Sequence, residues 1–371
     1  MTVRPAADIS MALEEVDTPC LLLDLDAFER NLDRLAESLR GRAVAVRPHA
    51  KSHKCPEIAL RQIARGAVGV CCQKVSEAEA LVDGGITDIL IANEVVGAAK
   101  LRRLAALAKR ARVAVCADHP DNVAGLEVAA GEAGVTLDVL VEINVGANRC
   151  GIAPGEPAAQ LARAIADAPH LRFAGLQAYQ GSAQHLRKVE ERREAIRVAV
   201  DRVQATKTAL AKRGLSCERV TGAGTGSYLF EAASEVYTEL QVGSYIFMDA
   251  DYARNDWTES GIPRFEHSLH VWTTVMSRPS PDMAVVDAGL KASSIDSGMP
   301  RVADHPGVEY VRASDEHGVL KLNGTDLPLG QKLKLIPGHC DPTVNLYDWF
   351  VCMRGGRVEA LWPIAARGAL Q

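Results

Sequence analysis

The sequence runs to 371 residues, 47% of them hydrophobic and 24% charged, with a net charge of −5 at pH 7. That length exceeds one ordinary domain and predicts two. The near balance of charge excludes the basic face of a nucleic-acid binder, and no run approaches the ~18 apolar residues of a membrane span.

In chain order, residues 1–19 hold no apolar run behind their basic residue, which favours a cytoplasmic enzyme. The strand-like CLLLDL (20–25) leads into DLDAFERNLDRLAESLR, where Phe28, Leu32, Leu35 and Leu39 share one helical face. Asp26 and Glu29 stand there in a capping-box arrangement. From residue 43 a unit recurs, a short β-branched run followed by an amphipathic helical stretch. The runs are AVAVRPH (43–49), AVGVCC (67–72), DILIAN (88–93), RVAVCAD (112–118), LDVLVEINV (137–145), RFAGLQAY (172–179), ERVTGAG (218–224) and ELQVGSYI (239–246). Eight near-continuous apolar strands alternating with helices predict an α/β fold, a (β/α)8 barrel of the TIM type, with a doubly wound open sheet as the alternative. Beyond residue 262 the pattern becomes short alternating runs divided by Gly, Pro, Asn and Asp, which predicts a mostly antiparallel β domain. The expected division is an N-terminal strand segment (1–25) associated with the β domain, a barrel (26–262) and the β domain itself (263–371). The nine cysteines lack CxxC spacing and read mostly as reduced, buried side chains.

Active-site residues of a barrel sit at the C-terminal ends of its strands. At the first such end stands RPHAKSHKC, which sets Lys51 among Arg47, His49, His53 and Lys54. This is either a solvated basic turn or a cationic nest that disfavours the ammonium and readies Lys51 as a Schiff-base nucleophile. TGAGTGSY (221–228) and QVGSYIFMD (241–249) end the last two strands, where barrels often hold a phosphate. Near the C-terminus, PGHCDPT (337–343) lines up three metal-ligand types. In extended backbone His339 and Asp341 point to one face and Cys340 to the other, although the same pattern suits a surface turn before Pro342.

These motifs, in this order with NVGANRCG (144–151) and SDEHG (314–318), resemble the fold-type III pyridoxal-phosphate (PLP) enzymes of the alanine-racemase-like class. The similarity is greatest to the metal-dependent branch that contains D-threonine aldolases together with D-serine and D-threo-3-hydroxyaspartate dehydratases. The resemblance implies that Lys51 carries PLP covalently, that Arg149 lies near its phenolic oxygen and that the Tyr179 ring packs on the pyridine. It places Gly224, Thr225, Gly243, Ser244 and Tyr245 around the phosphate, and Gln241 where racemases face the pyridine nitrogen with arginine. His339 and Asp341 become the metal pair, and His185, in YQGSAQH, the base. His317 of SDEHG either lines the metal site or caps a turn.

Family dehydratases hold zinc with HxC, and family aldolases hold manganese or a similar ion with HxD. A carboxylate also favours Mn²⁺ or Mg²⁺ over a thiolate-seeking Zn²⁺, with Co²⁺ also possible. The HxD pair therefore implies retro-aldol cleavage of D-threonine or D-allo-threonine, D-β-hydroxy amino acids, to glycine and an aldehyde. The alternatives are a D-serine or D-threo-3-hydroxyaspartate dehydratase and a non-catalytic PLP carrier. The class also implies a homodimer.

Overall fold

The structure, a computed structural model, describes residues 4–371. Strand β1 (Cys20–Asp24) comes first, followed by the eight strands of the barrel. These are β2 (Ala45–Val46), β3 (Val70–Cys72), β4 (Asp88–Glu94), β5 (Arg112–Ala117), β6 (Leu137–Glu142), β7 (Leu171–Gln177), β8 (Val220–Gly222) and β9 (Glu239–Leu240). Each falls within or beside one of the eight apolar runs. All pair in parallel, from β3 through β8 in sequence and then through β9 to β2. The ring closes where the Val68 and Cys71 amides donate to the Val46 and Pro48 carbonyls, both at 2.9 Å. The fold is thus the expected barrel and not an open sheet.

Helices between the strands bury one face each. In the first, Leu25–Ser38, Phe28, Leu32 and Leu35 are buried as their spacing requires. Its cap differs from the expectation, because the Asp24 carboxylate accepts the Ala27 amide at 3.0 Å. Asp26 and Glu29 instead pair with Arg354 on the second domain. Asp24→Ala is expected to lower stability by about 1 kcal/mol in urea unfolding, with Asp26→Ala nearer to neutral.

The second sheet has nine strands: β1, β10 (Leu269–Ser280), β11 (Met283–Val286), β12 (Arg301–Val302), β13 (Glu309–Ala313), β14 (Gly318–Lys321), β15 (Lys332–Ile336), β16 (Trp349–Arg354) and β17 (Arg357–Pro363). The long β10 pairs with β15 along its first half and with β11 along its second, so β10, β11, β14, β13, β12 and β15 form a closed ring. On the other side of β10, β1 runs antiparallel to it and parallel to β16. Strands β12 and β13 are short and mostly exposed. Among the described residues no helix is long and apolar enough to cross a membrane. All nine cysteines are free and seven are buried.

One apolar cluster spans both domains and sets the position of the last barrel loop. Phe247 meets Phe350 of β16 at 5.7 Å between ring centres, and Phe28 meets Trp362 of β17 edge-on. Buried Asn31 clamps the same loop, donating to the carbonyls of Ile246 (3.2 Å) and Glu266 (2.8 Å) and accepting the Glu266 amide (2.8 Å).

Candidate active site

A cavity of about 260 Å³ opens at the C-terminal ends of the barrel strands. Its walls include His49 and Lys51 after β2, Gln73 after β3, Arg149 after β6, Gln177 and Tyr179 from the end of β7, Gly224 and Thr225 after β8, and Gln241, Gly243, Ser244 and Tyr252 after β9. Eight of the sequence-selected residues therefore converge here, from five strand ends, together with five that the sequence did not single out. The missed ones are Gln73, Ala92, Gln177, Ala223 and Tyr252, while His49 comes from the basic turn already named.

The chain around Lys51 is a 3-10 turn, Ala50–Ser52, capped by the His49 ring. Lys51 Nζ donates to Asp341 Oδ2, a contact that reaches from the barrel to the β domain. Burial works most strongly against the ammonium, but the Asp341 charge and hydrogen bond, with Tyr179 and Glu77, together hold the Lys51 pKa above the usual lysine range. The cationic nest is thus a misreading. Arg47 is buried below the cavity, on Glu239 (3.0 Å) and Asp88 (2.7 Å), and Lys54 pairs with Glu77 at 2.8 Å. His53 is pushed down to about 3 by burial, and burial with the nearby Lys51 charge holds His49 well below the usual range, so both rings are neutral at pH 7.

The two glycine-rich loops face the cavity opposite the lysine. Gly224 is glycine because a Cβ there would stand 2.5 Å from the Gln184 amide packed behind it. Thr225 Oγ1 is buried with no hydrogen-bond partner, an acceptor and donor left for something else in the cavity. Gly243 and Ser244 line the wall, but Tyr245 does not. The Ser244–Ile246 turn rotates its ring into the core, 5.6 Å from Phe265, with its hydroxyl 3.1 Å from Gln62. Tyr245→Phe is expected to leave PLP affinity within about 2-fold while costing about 1 kcal/mol of stability, separable by spectrophotometric titration and urea unfolding.

Behind Gly226, Gln184 and Ser227 relay hydrogen bonds to Glu231, whose carboxyl group burial pushes up to about 7. Between its ordinary 4.5 and that value the folded chain binds the proton more tightly than the unfolded one, so stability falls as pH rises through this window. The loss amounts to about 3 kcal/mol at most. Glu231→Gln is expected to flatten that slope, measured as urea midpoints at pH 4 and pH 8.

Tyr179 and Arg149 form one wall, with the guanidinium carbon 5.9 Å from the ring centre. Gln241 is locked in a reciprocal amide pair with Gln177, at 2.7 and 3.1 Å, and its Nε2 also donates to Thr221 at 2.9 Å. Its neutral amide has no proton to give up.

The HxD pair is brought in by the β domain, but not by strand alternation. His339 is extended and caps the short helix Cys340–Val344, so Asp341 lies in a first helical turn. His339 Nδ1 hydrogen-bonds Asp296 at 2.8 Å, a partner the sequence did not flag, which leaves Nε2 as the free ligand atom. Burial opposes ionisation of Asp341, yet the Lys51 and His339 charges hold its carboxyl below the usual range. Asp341 Oδ1 is buried and unpartnered. Cys340 is buried, with Sγ 3.2 Å from the Met248 carbonyl, and its amide donates to Asp249.

His185 ends the turn Gly181–His185 outside the cavity lining, with Nδ1 3.0 Å from Asp251 Oδ2. The Asp251 amide in turn donates to the Gly338 carbonyl at 3.3 Å, which places His185 on the side of the HxD motif. His317 lies exposed in the β13–β14 turn, away from the cavity lining.

Residues 23–251 match the alanine racemase N-terminal domain, and residues 268–353 match the putative serine dehydratase domain. The chain is 50% identical to a D-threonine aldolase of Arthrobacter sp. over 99% of this chain and 97% of that one. It is 48% identical to a 3-hydroxy-D-aspartate aldolase of Paracoccus denitrificans, covering 95% and 93%. The crystal structure of a D-threonine aldolase from Filomicrobium marinum superposes with a TM-score of 0.97 at 55% identity, over 99% of this chain and 100% of that one. With the cavity, the two domains and this similarity along the whole chain, the protein belongs to the D-threonine aldolase family, built on the alanine racemase barrel.

Proposed function

We propose that the protein is a PLP- and divalent-metal-dependent lyase that cleaves the Cα–Cβ bond of D-threonine, D-allo-threonine and related D-β-hydroxy amino acids, giving glycine and an aldehyde. The observation that carries this reading is the meeting of Lys51 and Asp341, which joins a barrel lysine to a β-domain carboxylate in one cavity. Both groups fit the residues of the site. Thr225 Oγ1 and Asp341 Oδ1 are buried polar atoms without partners, at the phosphate loops and at the HxD pair. A cofactor phosphate and a cation would satisfy them.

When bound, PLP supplies an electron sink at Cα and the ion a Lewis acid for the β-oxygen. Lys51 would hold the cofactor, while Thr225, Ser244 and the backbone of Gly224 and Gly243 would bind its phosphate. Tyr179 and Arg149 pack against it, and Gln241 presents an amide too weakly acidic to protonate its ring. His339 Nε2 and Asp341 Oδ1 would hold the ion beside the substrate hydroxyl. An imidazole and a carboxylate suit Mn²⁺, with Mg²⁺, Co²⁺ or Zn²⁺ as substitutes. His185 Nε2 takes the hydroxyl proton, its Nδ1 being turned toward Asp251. Loss of that proton drives scission to the aldehyde, and a proton returned to Cα completes glycine.

The dehydratase reading would need a thiolate beside His339, whereas Cys340 is buried against Met248. A carrier would need no second domain delivering Asp341 to the cavity. The protein is further read as a cytoplasmic homodimer acting on a small molecule, with no nucleic-acid or membrane partner. Incubation with D-threonine, D-allo-threonine and L-threonine tests the substrate class. Acetaldehyde and glycine are expected from both D-isomers, and release from the L-isomer alone would overturn the assignment.

A further inference from the structure

A second group of ligand atoms converges at the mouth of the barrel. Glu94 ends β4, Glu142 ends β6, and Cys150 lies in the loop that follows β6; one ligand atom from each lies within 4.8 Å of the other two. None of the three lines the Lys51 cavity. Two carboxylates in contact repel unless a proton or a cation lies between them. Glu142 is only 5% exposed, and among the described residues no amide, guanidinium or hydroxyl group hydrogen-bonds its carboxylate; it faces the Glu94 carboxyl group instead. Glu94 Oε1 is buried without a hydrogen-bond partner. Nearby, Asp118 adds a third negative charge and accepts the Gly151 amide at 2.9 Å, while Arg149 supplies partial compensation.

We infer that Glu94, Glu142 and Cys150 form a second divalent-cation site, suited to an ion of borderline softness such as Zn²⁺ and distinct from the His339 and Asp341 pair. Two carboxylates and a thiolate supply three ligands, and solvent at the mouth completes a tetrahedron. Loading releases protons. Burial and the adjacent carboxylates push the Cys150 thiol up to about 11, and burial with Glu94 pushes Glu142 up to about 8. The ion displaces the thiol proton and the proton shared by the glutamates to solvent, so affinity rises with pH.

The loop is shaped to bring Cys150 back to the strand end. Gly151 has φ +102°, and a Cβ there would stand 2.6 Å from the backbone of Ile143 and Asn144. An ion would therefore tie β4 and β6 to the loop that holds Arg149 beside Tyr179.

The test is zinc content after dialysis of PLP-loaded protein at pH 8, with Cys150 alkylation read by peptide mass spectrometry. Asp341→Asn, with the first pair disabled, is expected to keep about one zinc per chain and to shield Cys150 from iodoacetamide at least ~10-fold relative to chelated protein. Adding Cys150→Ser should remove that zinc. Should that variant fail to fold, Glu142→Gln in the Asp341→Asn background replaces it with the same expected loss. Zinc absent from Asp341→Asn, or retained when Cys150 or Glu142 is also changed, overturns the site. Neither readout uses turnover, so failure here is distinct from failure of the aldolase reading.

Discussion

Lys51→Ala is expected to abolish covalent PLP binding and to lower D-threonine cleavage by at least ~10³-fold. Lys51 is the lysine of the cavity wall, and no neighbour is placed to replace it. Lys54 is turned away by its own backbone, with φ at +53°, and its ammonium is held by Glu77 at 2.8 Å. Arg47 is sequestered beneath the barrel mouth by Glu239 and Asp88. The check is visible absorbance and, after borohydride reduction, the mass of the peptide containing residue 51. Wild-type protein should carry the cofactor there, and the variant should bind PLP only reversibly. A cofactor still attached to Lys51→Ala protein would refute the lysine assignment.

Asp341→Asn should lower turnover by about 10²-fold or more while leaving cofactor attachment intact, because on the proposed reading it removes a charge shared by Lys51 and the ion. Its Oδ2 accepts from Lys51 and its Oδ1 is buried and free, so the isosteric amide preserves shape but presents two N–H donors where acceptors are needed. The amide also removes the strongest influence holding the Lys51 ammonium above its usual range, so the lysine pKa should fall in the variant. Saturating Mn²⁺ should restore part of the activity. Full activity in the presence of EDTA would show that this carboxylate holds no ion. A Lys51→Ala loss without metal dependence, set beside an Asp341→Asn loss with it, separates the two roles.

How much of this was legible in the sequence follows from how local each signal is. The eight barrel strands were readable because a strand buried on both faces carries its pattern within a few residues. Lys51, Gly224, Thr225, Gly243 and Ser244 were found because strand-end loops write their chemistry locally. Tyr245 was not distinguishable from its neighbours, since the 3-10 turn at Ser244–Ile246 decides which side chain faces inward. The apparent cationic nest failed for the opposite reason. The partners that neutralise Arg47 are Asp88 and Glu239, remote in sequence and adjacent only once the barrel closes. His339 and Asp341 were selected on an assumed geometry that the structure does not show, because a helix begins at Cys340 where an extended strand was assumed. Asp296, which orients the His339 ring, belongs to an irregular segment between β11 and β12 and carries no pattern of its own.

The most direct measurement of the central claim is product analysis with D-threonine and D-serine, before and after EDTA treatment and again after Mn²⁺ is restored. The account predicts equal amounts of glycine and acetaldehyde from D-threonine, lost with EDTA and recovered with Mn²⁺, and no oxo acid from either substrate. Pyruvate and ammonia from D-serine, with no aldehyde from D-threonine, would contradict it.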